Sequence, residues 1–391
     1  MKYNPIEKKT VGSLFCNLDK DSQKVLDSFD AIVQGVQPLN SKQMRMLSQN
    51  IRQMSHELTD ERFARKSGYM NEATRLSAYS RYFMWWNLVR LTQVFSGLPK
   101  DAFSNLKDNS YCLDLGSGPL TLPIALYLAR PELRTLKLNW YCVDISQNAL
   151  SLGENILLSI IAKLGGSEWN VIRVKGEMGV HIKNKVDFVT SANMFNEIFW
   201  NTTKPLEELA KKHGTELLNY AKKDAMWFIA EPGIPRSGRF ISLLRDFFLR
   251  KDISILAPCT HTKLCPMDGR KGQKWCHFVF DGSLAPKALQ KMSTSAGLTK
   301  ERASISFVCA TTKKVDDRES LSARIVSDPI IIRVGEREFK KTARYACAPW
   351  GLTLNTEQNQ TFLSGQEVSF SITSAATAKL PVDVKSKAKI L

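Results

Sequence analysis

The chain is 391 residues long and carries 55 lysines and arginines against 38 aspartates and glutamates, a formal net charge of +17. At 43% hydrophobic and 24% charged residues it has the composition of a globular protein, which excludes disordered and fibrous classes, and its length suggests two or three domains. No run approaches the roughly 18 to 20 apolar residues of a membrane span. The start, MKYNPIEKKT, has no apolar signal core. The first arginine is Arg45, while Glu7, Asp19 and Asp21 come early, which argues against a transit peptide. A cytoplasmic protein with no membrane engagement is expected. In a reducing compartment the eight cysteines would not pair as disulfides, and grouped ones read first as metal ligands.

Residues 1–107 read as a helical N-terminal domain, with helix expected from about Asp21 to Phe95. Pro38, Leu39, Asn40 and Ser41 supply a break and a cap, and the run from Gln43 to Leu58 has few strand formers. The next run carries Leu76, Tyr79, Tyr82, Phe83, Trp86, Leu88 and Val89 at spacings of three and four. That stripe is read as core and not as a base-stacking surface.

Residues 108–257 change character. The apolar runs YCLDL, LNWYCVD, VDFVTSA and AMWFIAEPG alternate with helix-like segments, the pattern of an α/β domain with a parallel sheet and crossover helices. Asp114, Leu115, Gly116, Ser117, Gly118 and Pro119 follow the first of these strands and open a helical stretch. The glycines permit a tight turn and a close backbone approach to a ligand. Thr121 stands where a dinucleotide fingerprint would have its third glycine, and no lysine follows as in a P-loop. Asp144 ends the next strand, 26 residues beyond Gly118, where a carboxylate can accept ribose hydroxyls. S-adenosylmethionine brings a sulfonium and an ammonium but no pyrophosphate, so the two acids favour it over NAD.

This strand, loop, helix, strand, acid order resembles the class I methyltransferases, whose first motif is an acid followed by a Gly-x-Gly loop. The resemblance implies a Rossmann-like fold and S-adenosylmethionine at Asp114, Gly116, Ser117, Gly118 and Asp144. It also implies that Glu177 in VKGEM lies near the adenine edge. Catalysis leaves less trace. After the fourth strand the chain reads Ser191, Ala192, Asn193, Met194, Phe195, Asn196, Glu197. That is neither the Asn/Asp-Pro-Pro-aromatic pattern of amino-methylating relatives nor a nucleophilic cysteine. Asn193 and Glu197 are the catalytic candidates, with helix capping as the competing role.

Beyond Pro258 the runs HFVF, ISFVCATT, ARIVSD and PIIIRVG, punctuated by Gly and Pro, point to a small β-rich domain over 258–351, followed by an extension, 352–391, of unknown role. Its tail, KSKAKIL, is expected to be frayed. Residues 259–391 hold 21 basic and 12 acidic groups, more than half of the net charge. A polyanion, nucleic acid before an anionic membrane, is the expected partner. Cys259, Cys265 and Cys276 lie within 18 residues and Cys347 follows, in the spacing Cys-x5-Cys-x10-Cys-x70-Cys. Three thiols among Pro and Gly, joined by a distant fourth, can converge on one ion or cluster. Lys263, Arg270, Lys271 and Lys274 among them would favour thiolates. Spacing leaves tetrahedral zinc, a four-iron cluster and ligation by His261 or His277 all open. Cys112, Cys142 and Cys309 sit in apolar strands and read as core.

The strings LDLGSGPLTLPIAL, AEPGIPRSGRFISLLRD, PCTHTKLCPM, WCHF and CAPWG, in that order, resemble the methyltransferase-like proteins of the small ribosomal subunit found in mitochondria (the Rsm type) and in bacteria. The resemblance runs from about residue 70 to 351. It implies a [4Fe-4S] cluster on Cys259, Cys265, Cys276 and Cys347. It also implies binding to small-subunit rRNA and the assembling small subunit, with methylation of that rRNA. A monomer is expected. The competing class is a non-catalytic rRNA-binding module with a vestigial cofactor pocket and a structural zinc or iron-sulfur clip.

Overall fold

The computed structural model describes residues 6–59, 68–200, 202–314, 321–334, 339–357 and 360–391. The chain divides into two compact units, one of 16–230 with 280–303, the other of 1–15, 231–279 and 304–391. No helix among the described residues is long and apolar enough to cross a membrane.

The first unit opens with helices Lys20–Asp27, Phe29–Val36 and Ser41–Thr59. Two of the three starts have a local cause. The Asp19 carboxylate accepts from the Asp21 and Ser22 amides. The Asn40 side chain accepts from the Gln43 amide at 3.0 Å while the Gln43 side chain accepts from the Asn40 amide at 2.9 Å, a reciprocal capping box. Residues 60–67 of the expected helical run lie outside the described residues. Helices Ala73–Ala78 and Met84–Gly97 then flank a single π turn, Tyr79–Phe83. The aromatic stripe is core at Leu76, Tyr82, Trp86, Leu88 and Val89, whereas Tyr79 and Phe83 are only half-buried.

Five strands follow: Tyr111–Leu115, Asn139–Asp144, Asn170–Lys175, Val186–Ala192 and Ala221–Pro232. In space the third lies outermost, then the second, the first, the fourth and the fifth, and every pairing is parallel. Helices Thr121–Ala129, Gln147–Leu164 and Leu206–Tyr220 make the crossovers. This is the doubly wound 3-2-1-4-5 order of a Rossmann-like α/β fold, and its crevice opens where the chain reverses direction, between the first and fourth strands. Cys112 and Cys142 are fully buried in their strands, as their apolar neighbours require.

In the second unit, strand Lys8–Ser13 pairs with Gln366–Phe370. The sheet continues through Ser322–Ile325, Phe339–Ala348, Gly351–Thr356 and Lys389–Ile390, with Ile330–Val334 on Phe339–Ala348. Ile325, Ala346, Phe362, Val368, Phe370 and Leu391 form its core. The tail is therefore not frayed. The Leu391 amide donates to the Leu354 carbonyl at 2.9 Å, and the Leu391 carbonyl accepts from the Thr356 amide at 2.8 Å. Lys8 Nζ reaches the same carbonyl at 3.1 Å. A solvated composition concealed this docking because the last strand's partners are some 35 residues away in sequence, as in the Thr356–Leu391 contact. Helix Pro235–Leu249 and the antiparallel strands Ser254–Ala257 and Arg302–Thr311 complete the unit, the last of which buries Cys309.

Candidate functional site

The loop after strand Tyr111–Leu115 lies at the carboxyl end of the sheet, at the reversal point. Gly116 and Gly118 adopt φ of +67° and +50°, angles that a side chain disfavours. Three hydrogen bonds fix the turn. The Ser117 amide donates to the Val143 carbonyl at 3.0 Å, the Ser117 hydroxyl to the Asp114 carbonyl at 2.8 Å, and the Gly118 amide to Asp144 Oδ2 at 2.8 Å. Asp144 Oδ1 accepts from the Ser146 amide at 2.8 Å, and Ser146 caps helix Gln147–Leu164 through its hydroxyl. The two acids of the motif are thus joined through one loop. Gly153 lets that helix reach the loop, since a Cβ there would stand 2.3 Å from the Pro119 carbonyl carbon. Sequence pattern did not reveal this contact, because the glycine lies inside an otherwise regular helix.

Asp114 is 1% exposed, with Oδ1 accepting from the Thr190 hydroxyl at 2.7 Å. Burial lifts its carboxyl to about 7, against the hydrogen bonds from Thr190 and Ser117. Asp144 is raised as well, again by burial, against its three backbone hydrogen bonds. A carboxylate that is costly to ionise in isolation is well suited to receive a cation, because the arriving charge repays the burial.

Asp114, Gly116, Ser117 and Asn193 converge on one small cavity with Tyr79, Asn87, Thr121, Leu122 and Ala192. Its volume is about 10 Å³, room for one water. Two methionines stand close to the glycines of the loop. A Cβ on Gly116 would stand 2.7 Å from Met194 Cβ, and one on Gly118 would stand 3.6 Å from Met70 Cε. The donor chemistry fits S-adenosylmethionine, since three backbone hydrogen bonds leave the Asp144 carboxylate a lone pair and Asp114 is a buried carboxyl that an arriving cation would ionise.

Asn193 lies at the cavity wall with φ of +59°, held by its amide's bond to the Ala230 carbonyl at 2.9 Å. Glu197 does not line the cavity. It sits in the first turn of the short helix Phe195–Trp200, its amide on the Met194 carbonyl. Glu177 is exposed and also outside the cavity, in the turn after strand Asn170–Lys175. Tyr79, read from sequence as core, lines the cavity instead, while Asn87 and Thr190 complete the site and were not singled out, since each occupies an ordinary apolar or strand segment.

In the second unit the loop after the cis Ala257–Pro258 bond carries Cys259 and Cys265, with Cys276 before strand Phe278–Asp281 and Cys347 near the end of strand Phe339–Ala348. Their sulfurs are close enough for their charges to act on one another. Burial first, then Cys259, pushes the Cys265 thiol up to about 11. Burial followed by the other thiols raises Cys276 and Cys347 further. This corrects the expectation that Lys263, Arg270, Lys271 and Lys274 favour thiolates, because all four are exposed and solvent screens them. The cation that matters is Arg245, 3% exposed and missed from sequence because it lies in the preceding helix. Its Nε donates to Cys259 Sγ at 3.2 Å, and its Nη2 to the His261 and Lys263 carbonyls at 3.0 and 2.7 Å. Burial would lower the Arg245 pKa, but Cys259 and Cys265 outweigh it and hold the guanidinium above its usual value. His261 Nε2 lies 3.3 Å from Cys347 Sγ, and His277 stacks on Trp275. Among the described residues no three of His, Cys, Asp and Glu gather tightly enough to hold one metal ion.

The family model of the mitochondrial small ribosomal subunit protein Rsm22 matches residues 100–337, more than half of the chain. No curated protein matches. Among solved structures, the chain is 16% identical to an S-adenosylmethionine-dependent methyltransferase from Aquifex aeolicus, over 58% of this chain and 98% of that one, with a TM-score of 0.29. It is 13% identical to a putative RNA methyltransferase from Pyrococcus horikoshii, over 59% and 83%, with a TM-score of 0.30. It is 12% identical to a methyltransferase from Thiobacillus denitrificans in complex with S-adenosylhomocysteine, over 58% and 91%, with a TM-score of 0.32.

Proposed function

The chain belongs to the Rsm22 family of the mitochondrial small ribosomal subunit, and on that premise we propose that it is a small-subunit assembly factor that binds rRNA and S-adenosylmethionine and methylates the RNA. The observation that carries the cofactor reading is the hydrogen-bonded unit of Asp114, Gly116, Gly118 and Asp144 at the reversal point of a doubly wound sheet. The bound cofactor supplies an electrophilic methyl group on a sulfonium. Asp114 holds the cationic end, and Asp144 accepts ribose hydroxyls while keeping the Gly118 amide in place. Asn193, on the cavity wall, orients the accepting atom. Positioning of this kind accounts for much of the rate in a direct displacement. Glu177 and Glu197 keep weaker roles, at the adenine edge and as a base that needs local movement to engage.

The cysteines complete the reading. Four interacting thiols beside the buried Arg245 cation suit an anionic [4Fe-4S] group, held by Cys259, Cys265, Cys276 and Cys347. The protein works in the cytoplasm as a monomer, and its basic strands contact rRNA.

The tight cavity favours a second reading, a non-catalytic rRNA-binding module whose cofactor pocket is vestigial, because Met194 lies against Gly116. Calorimetric titration of the anaerobically purified chain with S-adenosylmethionine separates the two. Saturable binding that Asp144→Ala weakens supports the first reading, and no heat from folded protein establishes the second. Iron and sulfide in equal amounts, lost in Cys265→Ser, support the cluster; stoichiometric zinc without iron overturns it.

A further inference from the structure

Lys263, Arg270, Lys271 and Lys274 stand out in the sequence beside the cysteines, yet all four are exposed, and the cation that bonds a sulfur is Arg245. Their placement gives them a different use. Residues 267–276 fold back on themselves as a small hairpin. The Cys276 amide donates to the Met267 carbonyl and the Gly269 amide to the Lys274 carbonyl, each at 3.0 Å, with Asp268 and Trp275 bridged antiparallel between them. At the tip the Gln273 amide donates to the Arg270 carbonyl at 2.8 Å. Gly269 and Gly272 take φ of +70° and +81°, which is left-handed backbone that favours glycine.

The hairpin has a firm seat. Met267 is buried, and Trp275 Nε1 donates to the Gly233 carbonyl at 3.0 Å. The Trp275 ring lies so close to helix Pro235–Leu249 that a Cβ on Gly238 would stand 2.7 Å from its Cδ1. The hairpin's one acid, Asp268, is already engaged: its Oδ1 accepts from the Arg270 amide at 3.0 Å, while Oδ2 meets Arg270 Nε at 2.6 Å and Arg239 Nη1 at 3.4 Å. Lys263, Lys271 and Lys274 have no carboxylate partner among the described residues. The Lys274 ammonium lies over the Tyr345 ring, 5.1 Å from its centre. Lys263 belongs to the preceding loop, where its carbonyl is held by Arg245 Nη2 at 2.7 Å.

We infer that this hairpin, together with Lys263, is a docking finger for the phosphate backbone of double-helical RNA. Exposed cations without carboxylate partners hold counterions that a polyanion displaces, a gain that does not depend on base sequence. A single strand asks in addition for a free aromatic face on which its bases can stack. The hairpin's one aromatic ring, Trp275, is stacked on His277 at 4.9 Å and 19°. What remains is contact with the phosphates of a duplex, which positions the RNA without reading its bases. This deepens the reading of the chain as an rRNA-binding protein and rests on it.

The test uses the full chain and a short fluorescein-labelled RNA duplex, followed by anisotropy over a range of KCl concentrations. Lys271→Gln combined with Lys274→Gln should reduce the slope of log affinity against log salt by about 1.8, the value of two phosphate contacts on a double helix, and arginine at both positions should keep the wild-type slope. Lys287→Gln combined with Lys291→Gln removes two exposed lysines from helix Lys287–Ser295 and should leave the slope unchanged. Gly269→Val removes no charge, but its Cβ would stand 3.2 Å from Trp275 Cβ and from the Arg239 amide nitrogen at a φ of +70°. It should lower affinity and slope together, because the finger leaves its seat. Circular dichroism separates these effects from loss of fold. An unchanged slope in the folded Lys271, Lys274 variant, an equal loss in the Lys287, Lys291 variant, or wild-type binding by folded Gly269→Val overturns the finger while leaving the rRNA reading in place. A folded wild-type chain that binds no RNA overturns both.

Discussion

Replacing Asp114 with Asn tests the electrostatics of the cofactor loop. The carboxyl is 1% exposed and is lifted by burial from 3.8 to about 7. Its folded value therefore lies above its unfolded value, so its contribution to stability is fully present below pH 3.8 and is lost as the pH rises through about 7. The total loss is about 4 kcal/mol, of which roughly 2.5 kcal/mol falls between pH 5 and pH 8. Asparagine keeps an oxygen to accept from Thr190, which donates at 2.7 Å, and has no charge to bury. Urea unfolding of both proteins at intervals from pH 5 to pH 8 gives the difference directly, and other titrating groups cancel between them. The variant should gain on the wild type by about 2.5 kcal/mol across that window. It should also bind S-adenosylmethionine more weakly at pH 8, where the wild-type carboxylate is charged. Parallel stability profiles would refute the buried, proton-holding Asp114.

Asp144→Ala strips a partner from the Gly118 and Ser146 amides and removes the ribose acceptor. Calorimetry should show binding weaker by about 1.5 to 3 kcal/mol per lost charge-assisted bond, and thermal melting should show a loss of stability as well. Gly116→Ala places a Cβ 2.7 Å from Met194 Cβ at a φ of +67°, and should cost about 1 to 3 kcal/mol in urea unfolding. Arg245→Met leaves the His261 and Lys263 carbonyls and Cys259 Sγ without this donor. A loss of about 3 kcal/mol or more is expected by denaturant unfolding, together with lower iron content in anaerobic protein.

The parts of this molecule that are legible in its sequence are those built from neighbours in the chain. Four of the five parallel strands announce themselves as apolar runs, because a strand covered on both faces has no polar side to interrupt it, whereas the outermost, Asn170–Lys175, is partly exposed and carries polar residues. Asn40 and Gln43 are readable as a cap for the same reason: the hydrogen bonds span three residues. Asp114 and Asp144 are legible because the loop between the first strand and its helix must pass both. Contacts that close over long separations leave no local trace. Strand Lys8–Ser13 pairs with Gln366–Phe370, and nothing in KKTVGS signals a partner more than 350 residues away. The docked tail, the Arg245 donor to the cysteine loop and the Met194 contact on Gly116 belong to this class. The basic residues near the cysteines misled because charge counts carry no depth. Lys263 and its neighbours are in solvent, where screening weakens them, while one buried arginine sets the local field.

The central claim, that this chain directs S-adenosylmethionine to small-subunit rRNA, is tested most directly by mapping methylated nucleotides in the small-subunit rRNA of cells that carry the wild-type chain, the Asp144→Ala chain or neither. The account predicts one methyl mark present with the wild type and missing in both other strains, while crosslinking shows Asp144→Ala still bound to the RNA. Identical marks in all three strains, with wild-type protein folded and bound to the subunit, would contradict it.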